Sequence, residues 1–475
     1  MSSGPSDSTA AEVPPRFGPL VRLRSALAVA APAMLALIGW PVITFGGLQA
    51  IRLVTNIILS HLLNPAIFGV LLILNTLRTG IELLSDVGVG QNIISHPAGS
   101  TASFTSTAWT IQIIRGVLIG AVLATCSPLI AHIYAEPILA KAVPMMALLV
   151  VISGFQSTGL FVLMREQRLA QFSAFELLPA MAAMVIQVTI SYFDRTVWSL
   201  LYGAVICMAM QVGCSFFMTP SAGLRLAIDR DHARSIIHFG KWIFLSSAIF
   251  FIAGNFDRLY LSSAIPWALL GVYGIARSLS EAFTVLLARV GNMVLFPIIA
   301  GSSHRGEALR HRLSAQRVPL LATAAVGLAL FIALSDRVVL LLYDQRYHEA
   351  AAILPVLAAG VWFSMLATLG EAVSLGIGRP QISTLANAAK LAWMMAGMPL
   401  LATRFGFPGL VACIATADLV KYLALSLGQK RWGLAFPVQD LALTGFFVVC
   451  VLVLRALFSL SGVVGAVGGL WALFQ

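Results

Sequence analysis

Apolar runs of membrane-spanning length recur almost end to end along this chain, divided by short polar breaks. Crossing the hydrocarbon layer takes about 20 apolar residues. On that measure the pattern predicts helices over 39–62, 66–90, 106–132, 138–163, 172–193 and 196–218. A second set follows over 239–263, 268–298, 318–342, 350–376, 382–402 and 406–428, and a closing pair over 439–457 and 460–474. The expected fold is an all-α polytopic membrane protein of about 12–14 spans. Two six-helix lobes occupy 25–218 and 239–430, followed by a C-terminal helix or hairpin over 431–475. Residues 1–24 read as a disordered cytoplasmic tail, because they are rich in Ser, Pro and Ala and carry no apolar signal core. Ala26 to Ile38 extends the first run beyond one span; it reads as an interfacial lead-in broken at Pro32 and Pro41, or as a separate hairpin.

Composition agrees with the pattern. Of 475 residues 59% are hydrophobic and only 10% charged, with a mean hydropathy of +0.92, which lies outside the soluble globular range. The net charge of +11 does not signal nucleic acid, because the basic residues fall mainly in short loops. Arg16, Arg22, Arg24, Arg165, Arg168, Arg225, Arg230, Arg234, Lys241, Arg305, Arg310, Arg312, Arg317, Arg379, Lys430 and Arg431 share one side. That side is expected to be cytoplasmic. The opposite side holds only scattered Lys141, Arg195, Arg337, Arg346 and Arg404. The five cysteines sit singly in apolar segments and read as small packing residues. Residues 219–238 are basic, with Leu224, Ile228, Ile236 and Ile237 among them, and read as an amphipathic linker on the inner surface.

Charge inside the spans is the informative exception. Each such group costs about 2.5–3.5 kcal/mol to insert, so it marks a pathway or a cavity rather than ordinary packing. Gln49, Arg52 and Asn56 share one side of the first helix, and Asn75, Arg78, Thr79, Glu82, Ser85 and Asp86 make a stripe along the second. In the second lobe Asn255, Arg258 and Ser262 align, with Asp257 beside them, and Arg277, Glu281 and Thr284 follow. The lobes also repeat weakly. Trp40 precedes Gly69 by 29 residues, as Trp242 precedes Gly271, while Arg78/Glu82 and Arg277/Glu281 match with an offset of three. Six helices per lobe make the repeats parallel, with a site expected at their interface. Four arginines, Arg52, Arg78, Arg258 and Arg277, are thus expected to converge near the axis. Arg115 with Gln112, Glu176, Glu371 with Thr368, Lys390 with Asn387, and Asp418 with Lys421 are less symmetric additions. The same groups have a structural reading: Arg78/Glu82, Arg277/Glu281 and Asp257/Arg258 as ion pairs within the fold, and Asp86, Lys390 and Lys421 as interfacial snorkellers.

The run Arg52-LVTNIILSHLLNPAIFG-Val70 and the segment ELLSDVGVGQ from Glu82 resemble the opening of Wzx-type polysaccharide flippases of the multidrug/oligosaccharidyl-lipid/polysaccharide (MOP) exporter superfamily. LLYDQRYHEAAAILPVLA from Leu341, GIGRPQ from Gly376 and FGFPGLVACIA from Phe405 fit the same order, with Asp344 where such proteins commonly have glycine. The resemblance implies a two-lobed exporter in the bacterial inner membrane that flips an undecaprenyl-diphosphate-linked oligosaccharide by alternating access. Arg52, Arg78, Arg258, Arg277 and Arg115 would hold the diphosphate, since Arg binds phosphate through multidentate, charge-assisted hydrogen bonds. The sugar would use Asn, Gln, Ser and aromatic groups, with Gln49, Asn56, Asn75 and Asn255 as substrate-binding candidates, while the prenyl tail stays in lipid through a lateral gap. Asp257, Glu281, Glu371 and Glu82 are the places where a proton or sodium ion could exchange. Membrane lipids surround the protein, and a polysaccharide polymerase is a candidate partner. A multidrug/cation antiporter of the same superfamily is the nearest competitor, although its cavity should be acidic and aromatic. A membrane polymerase or glycosyltransferase is the enzyme alternative, but the external loops are short and no nucleotide loop, metal cluster or nucleophile triad is present, so no cofactor is expected.

Overall fold

The computed structural model describes residues 40, 43–85, 89–219, 223–300, 307–376 and 379–460. The predicted tail, the lead-in with Pro32 and Pro41, Asp86, and all but the first residue of the closing 460–474 segment lie outside the described residues.

The first lobe contains α1 (Ile43–Leu62), α2 (Pro65–Ser85), α3 (Val89–Ser95), α4 (Ala102–Ile133), α5 (Leu139–Gly154), α6 (Gly159–Arg165), α7 (Leu169–Phe193) and α8 (Val197–Met218). The second contains α9 (Arg230–Ala264), α10 (Trp267–Ala300), α11 (Glu307–Leu342), α12 (Ala350–Gly376) and α13 (Pro380–Lys430), with α14 (Pro437–Leu460) after it. Among the described residues nine helices are long and apolar enough to cross a membrane, and the bent pair α5–α6 makes a tenth. α9 and α10, with 35 and 34 residues, are long enough as well and carry the charged groups of the second lobe.

One predicted span is interrupted, and one long helix reverses, for different reasons. The span predicted over 138–163 bends by 56° between α5 and α6. The backbone freed there is accounted for: the Trp109 indole donates to the Phe155 carbonyl at 3.2 Å, and Gln112 Nε2 donates to the Gly154 and Gln156 carbonyls, both at 3.1 Å. The Ser157 amide in turn donates to Ser215 Oγ at 2.9 Å. Buried backbone needs such partners, and inside a membrane water does not supply them. α13 instead reverses at Gly406, whose φ of 62° and ψ of −144° suit a residue without Cβ. Its arms run antiparallel, with Trp393 Nε1 donating to the Cys413 carbonyl at 3.3 Å and Gly428 against Ile382. They are the two spans predicted over 382–402 and 406–428.

The lobes cross where α2 meets α10. A Cβ on Gly69 would overlap the Trp267 carbonyl, and one on Gly271 would overlap the Pro65 carbonyl. Because each carbonyl lies four residues before the partner glycine, the contact is symmetric, and the pseudo-two-fold axis passes between these helices. Toward the end opposite the basic loops, Leu59, Leu63 and Phe68 of the first lobe share one buried core with Leu261, Tyr273, Leu354 and Met398 of the second. The Tyr347 hydroxyl donates to the Leu63 carbonyl there at 3.0 Å. The α1–α2 turn is thereby fastened to the second lobe.

Residues 223–229 are not helical; they lie extended along a hydroxyl-bearing face of α4. The amides of Arg225, Ala227 and Asp229 donate to Ser106, Thr110 and Thr107 at 3.3, 3.1 and 3.1 Å. Alternate amides of an extended chain point the same way, so a row of helix hydroxyls can satisfy them. Asp229 then caps α9 by accepting from the Asp231 and His232 amides at 3.0 and 3.2 Å, which starts that helix nine residues before its predicted beginning. These exposed hydrogen bonds to the charged form hold the Asp229 carboxyl below its ordinary range.

Candidate functional site

The second-lobe charges form one connected network. Asp257 on α9 is 1% exposed and accepts from the Tyr273 hydroxyl of α10. Arg277 Nε lies 3.4 Å from Asp257 Oδ2 and 3.1 Å from Glu281 Oε1. Arg258 reaches from α9 to the same Glu281 oxygen and donates to Asn255 Oδ1 at 3.0 Å. The expected Asp257/Arg258 pair is therefore replaced by an exchange across helices: neighbours on one turn point in different directions, and each finds its partner on α10. Across the cavity, Lys390 pairs with Asp418 at 2.7 Å and Lys421 with Glu371 at 2.9 Å. Asn387 also donates to Glu371, at 3.2 Å.

Neither Lys390 nor Lys421 snorkels. Both side chains are 12% exposed, because the reversal at Gly406 brings one arm of α13 against the other and places Lys390 opposite Asp418. Asp418 and Lys421, close in sequence, each pair with a residue farther away along the chain. Four carboxylates, Asp257, Glu281, Glu371 and Asp418, thus meet four cations, Arg258, Arg277, Lys390 and Lys421. Into this balanced surround α1 brings Arg52 and Gln49, which line the same cavity of about 430 Å³. Arg52 is exposed and makes no ion pair among the described residues. One positive charge is left over.

A second, larger cavity of about 740 Å³ lies in the first lobe, lined by Arg78, Thr79, Glu82, Gln112, Arg115, Gln156 and Gln211 among others. Arg78 Nε donates to Glu82 Oε1 at 2.9 Å, as the i,i+4 spacing predicts. The two cavities share no lining residue. Between them α2 packs on α9, with Phe251 against Gly80. The expected convergence of four arginines is corrected accordingly: Arg52 and Arg277 border one chamber, Arg78 and Arg115 the other, and Arg258 lines neither. Strict pseudo-symmetry would have superposed the pairs. Their offset of three residues, nearly one helical turn, turns them to different neighbours.

The remaining predicted residues divide similarly. Gln49, Arg52 and Asn56 border an apolar groove of about 370 Å³ with Phe45, Leu53, Leu279, Phe283 and Phe331. Asn255 supports Arg258, while Asn75 is exposed and lines none of these three spaces. Sequence reasoning passed over Gln156 and Gln211. The first had a signal, the polar run Ser153-Gly-Phe-Gln-Ser-Thr158 inside a predicted span.

Comparison with known proteins gives the family. The profile of the polysaccharide biosynthesis protein family matches residues 58–352, more than half the chain. The teichuronic acid biosynthesis protein TuaB of Bacillus subtilis (strain 168) is 21% identical over 382 residues, covering 77% of this chain and 74% of that protein. The amylovoran biosynthesis protein AmsL of Erwinia amylovora is 23% identical over 298 residues, covering 62% and 76%. Among solved structures, the lipid II flippase MurJ in an inward closed conformation matches with a TM-score of 0.68 at 12% identity, over 90% of this chain and 100% of that one. An inward-facing multidrug resistance MATE family transporter of the MOP superfamily matches with a TM-score of 0.55 at 14% identity, over 84% and 96%. Given the profile match and a fold shared with MOP transporters, this multi-pass membrane protein belongs to the polysaccharide biosynthesis protein family and is a Wzx-type member of it.

Proposed function

We propose that the protein flips an undecaprenyl-diphosphate-linked oligosaccharide from the inner to the outer leaflet of the bacterial inner membrane, with its N-terminus in the cytoplasm. The observation that carries this reading is the position of Arg52, a guanidinium with no ion pair among the described residues, where a polar chamber adjoins an apolar groove. A lipid diphosphate has both chemistries within one molecule. Its headgroup carries roughly two negative charges and suits planar, charge-assisted hydrogen bonds, while its prenyl chain needs an apolar path. Alternating access would require the shared core around Leu63, Phe68 and Tyr273 to part. Outward movement of two negative charges is favoured by about 4–5 kcal/mol per 100 mV of inside-negative potential. Asp257 Oδ1, buried without a hydrogen-bond partner, marks Asp257 as the first place to look for an exchanging proton or sodium ion, with Glu281, Glu371 and Glu82 after it. A polysaccharide polymerase would be the natural receiver of the product.

The test is reconstitution in proteoliposomes with an inside-negative potential. Movement of undecaprenyl-diphosphate-linked glycan, lost in Arg52→Ala and partly restored in Arg52→Lys, supports the proposal. Ethidium extrusion without lipid-linked sugar movement would place the protein with the drug antiporters.

A further inference from the structure

The first-lobe chamber has a chemistry that the diphosphate does not explain. Beside Arg78, Arg115 and Glu82, its polar lining is amide and hydroxyl, and the side-chain amides of Gln156 and Gln211 form no hydrogen bond among the described residues. Each therefore offers two donors and one acceptor oxygen to the chamber. Phe161 and Met208 supply apolar faces on the same walls. With about 740 Å³, the chamber falls within the size range of small-molecule sites, roughly 300–1,000 Å³.

The break between α5 and α6 is what presents Gln156. Irregular backbone at membrane depth persists only where protein buries it or where it lines a wet cavity, and interrupted helices mark binding sites in transporters of several folds. Here the break is fastened rather than loose. Trp109 and Gln112 hold its carbonyls, Ser215 receives the Ser157 amide, and Ser157 Oγ receives the Gly159 amide at 3.1 Å. Among these bonds Gln156 takes part only through its carbonyl, which accepts from Gln112, and its side chain takes no part.

We infer that this chamber is the carbohydrate subsite, in which Gln156 and Gln211 hydrogen-bond hydroxyl groups of the sugars next to the diphosphate while Phe161 and Met208 pack on their C–H faces. The inference rests on the proposed function and adds a division of labour to it. An anionic ligand would be drawn to Arg52, and an organic cation would require carboxylates, of which the described residues lining this chamber include only Glu82, already paired with Arg78. A neutral polyhydroxylated ligand matches free amides.

The full-length protein in nanodiscs would be titrated with undecaprenyl diphosphate and with the same lipid bearing one glucose, galactose or N-acetylglucosamine. At least one sugar should tighten binding to the wild type about tenfold, the scale of two neutral hydrogen bonds. That ratio should collapse toward one in Gln156→Leu/Gln211→Leu and return in part with Gln156→Asn/Gln211→Asn. A preserved ratio in the leucine variant, or a wild type indifferent to every sugar, overturns the assignment. Gln211→Leu alone, which leaves the α5–α6 break untouched, provides the same readout if the double variant is poorly folded. Wild type that binds none of the four lipids refutes the proposed function itself, and the carbohydrate assignment falls with it.

Discussion

In the second lobe, four carboxylates and four cations interlock across α9, α10, α12 and α13, while the first-lobe chamber is larger and has mainly amides, hydroxyls and one i,i+4 ion pair. The difference shows how ionisable groups can be tolerated in a low-dielectric setting. Charges largely engaged with one another hold helices in place and have little left for a ligand, with Asp257 Oδ1 an exception. An unengaged group such as Arg52, or a free amide such as Gln156, has its bonding capacity still open. Abundance of charge is therefore a poor guide to the binding residue; incomplete pairing is a better one.

Removing one member of the interlocked set should have the largest effect. Arg277→Ala strips a cation from both Asp257 and Glu281 and is expected to destabilise the protein by about 3–5 kcal/mol, read as a fall in thermal midpoint and in the yield of folded protein in detergent. A stable Arg277→Ala protein that fails only in transport would move Arg277 to the ligand-binding side of the comparison. Arg52→Ala should do the reverse, reducing lipid-linked glycan transport about hundredfold, on the scale of two hydrogen bonds to a charged group, with an unchanged thermal midpoint. The contrast between these two variants is the sharpest measure of how the charges are used.

The Lys390–Asp418 pair refines the picture. Asp418→Asn alone leaves a buried ammonium under-compensated and should lower stability by about 3 kcal/mol, whereas Lys390→Met/Asp418→Met should recover most of the loss, since apolar replacements of a buried pair are often neutral. Failure of the double variant to recover, measured by thermal unfolding, would show that the pair does more than neutralise itself. Glu82→Ala should have the smallest effect. The Arg78–Glu82 side chains are 25% and 32% exposed, so the stability cost should stay within about 1 kcal/mol, checked by the same unfolding measurement. A larger cost would make the first lobe resemble the second.

The pairing pattern separates what was legible from what was not. Arg78/Glu82 and Arg277/Glu281 could be read from spacing, because one helical turn brings residues four apart together. Lys390–Asp418 and Lys421–Glu371 could not: they depend on the reversal at Gly406 and on α12 packing against both arms of α13. The crossing of Gly69 with Gly271 was hinted at by their matching distances from tryptophans, yet only the overlap of each absent Cβ with the opposite backbone shows why glycine is needed at both positions.

The order of hydrophobic runs determined most of the spans, the two lobes and the parallel repeat by itself, since burying backbone polar groups in lipid leaves a helix as the local solution wherever about 20 apolar residues follow one another. Which charges would meet, where α5 would part from α6, and into which of two chambers each arginine would turn were decided by tertiary structure. Those outcomes depend on the rotation and reversal of whole helices, and a change of one turn, invisible to hydropathy, sends a side chain to a different partner.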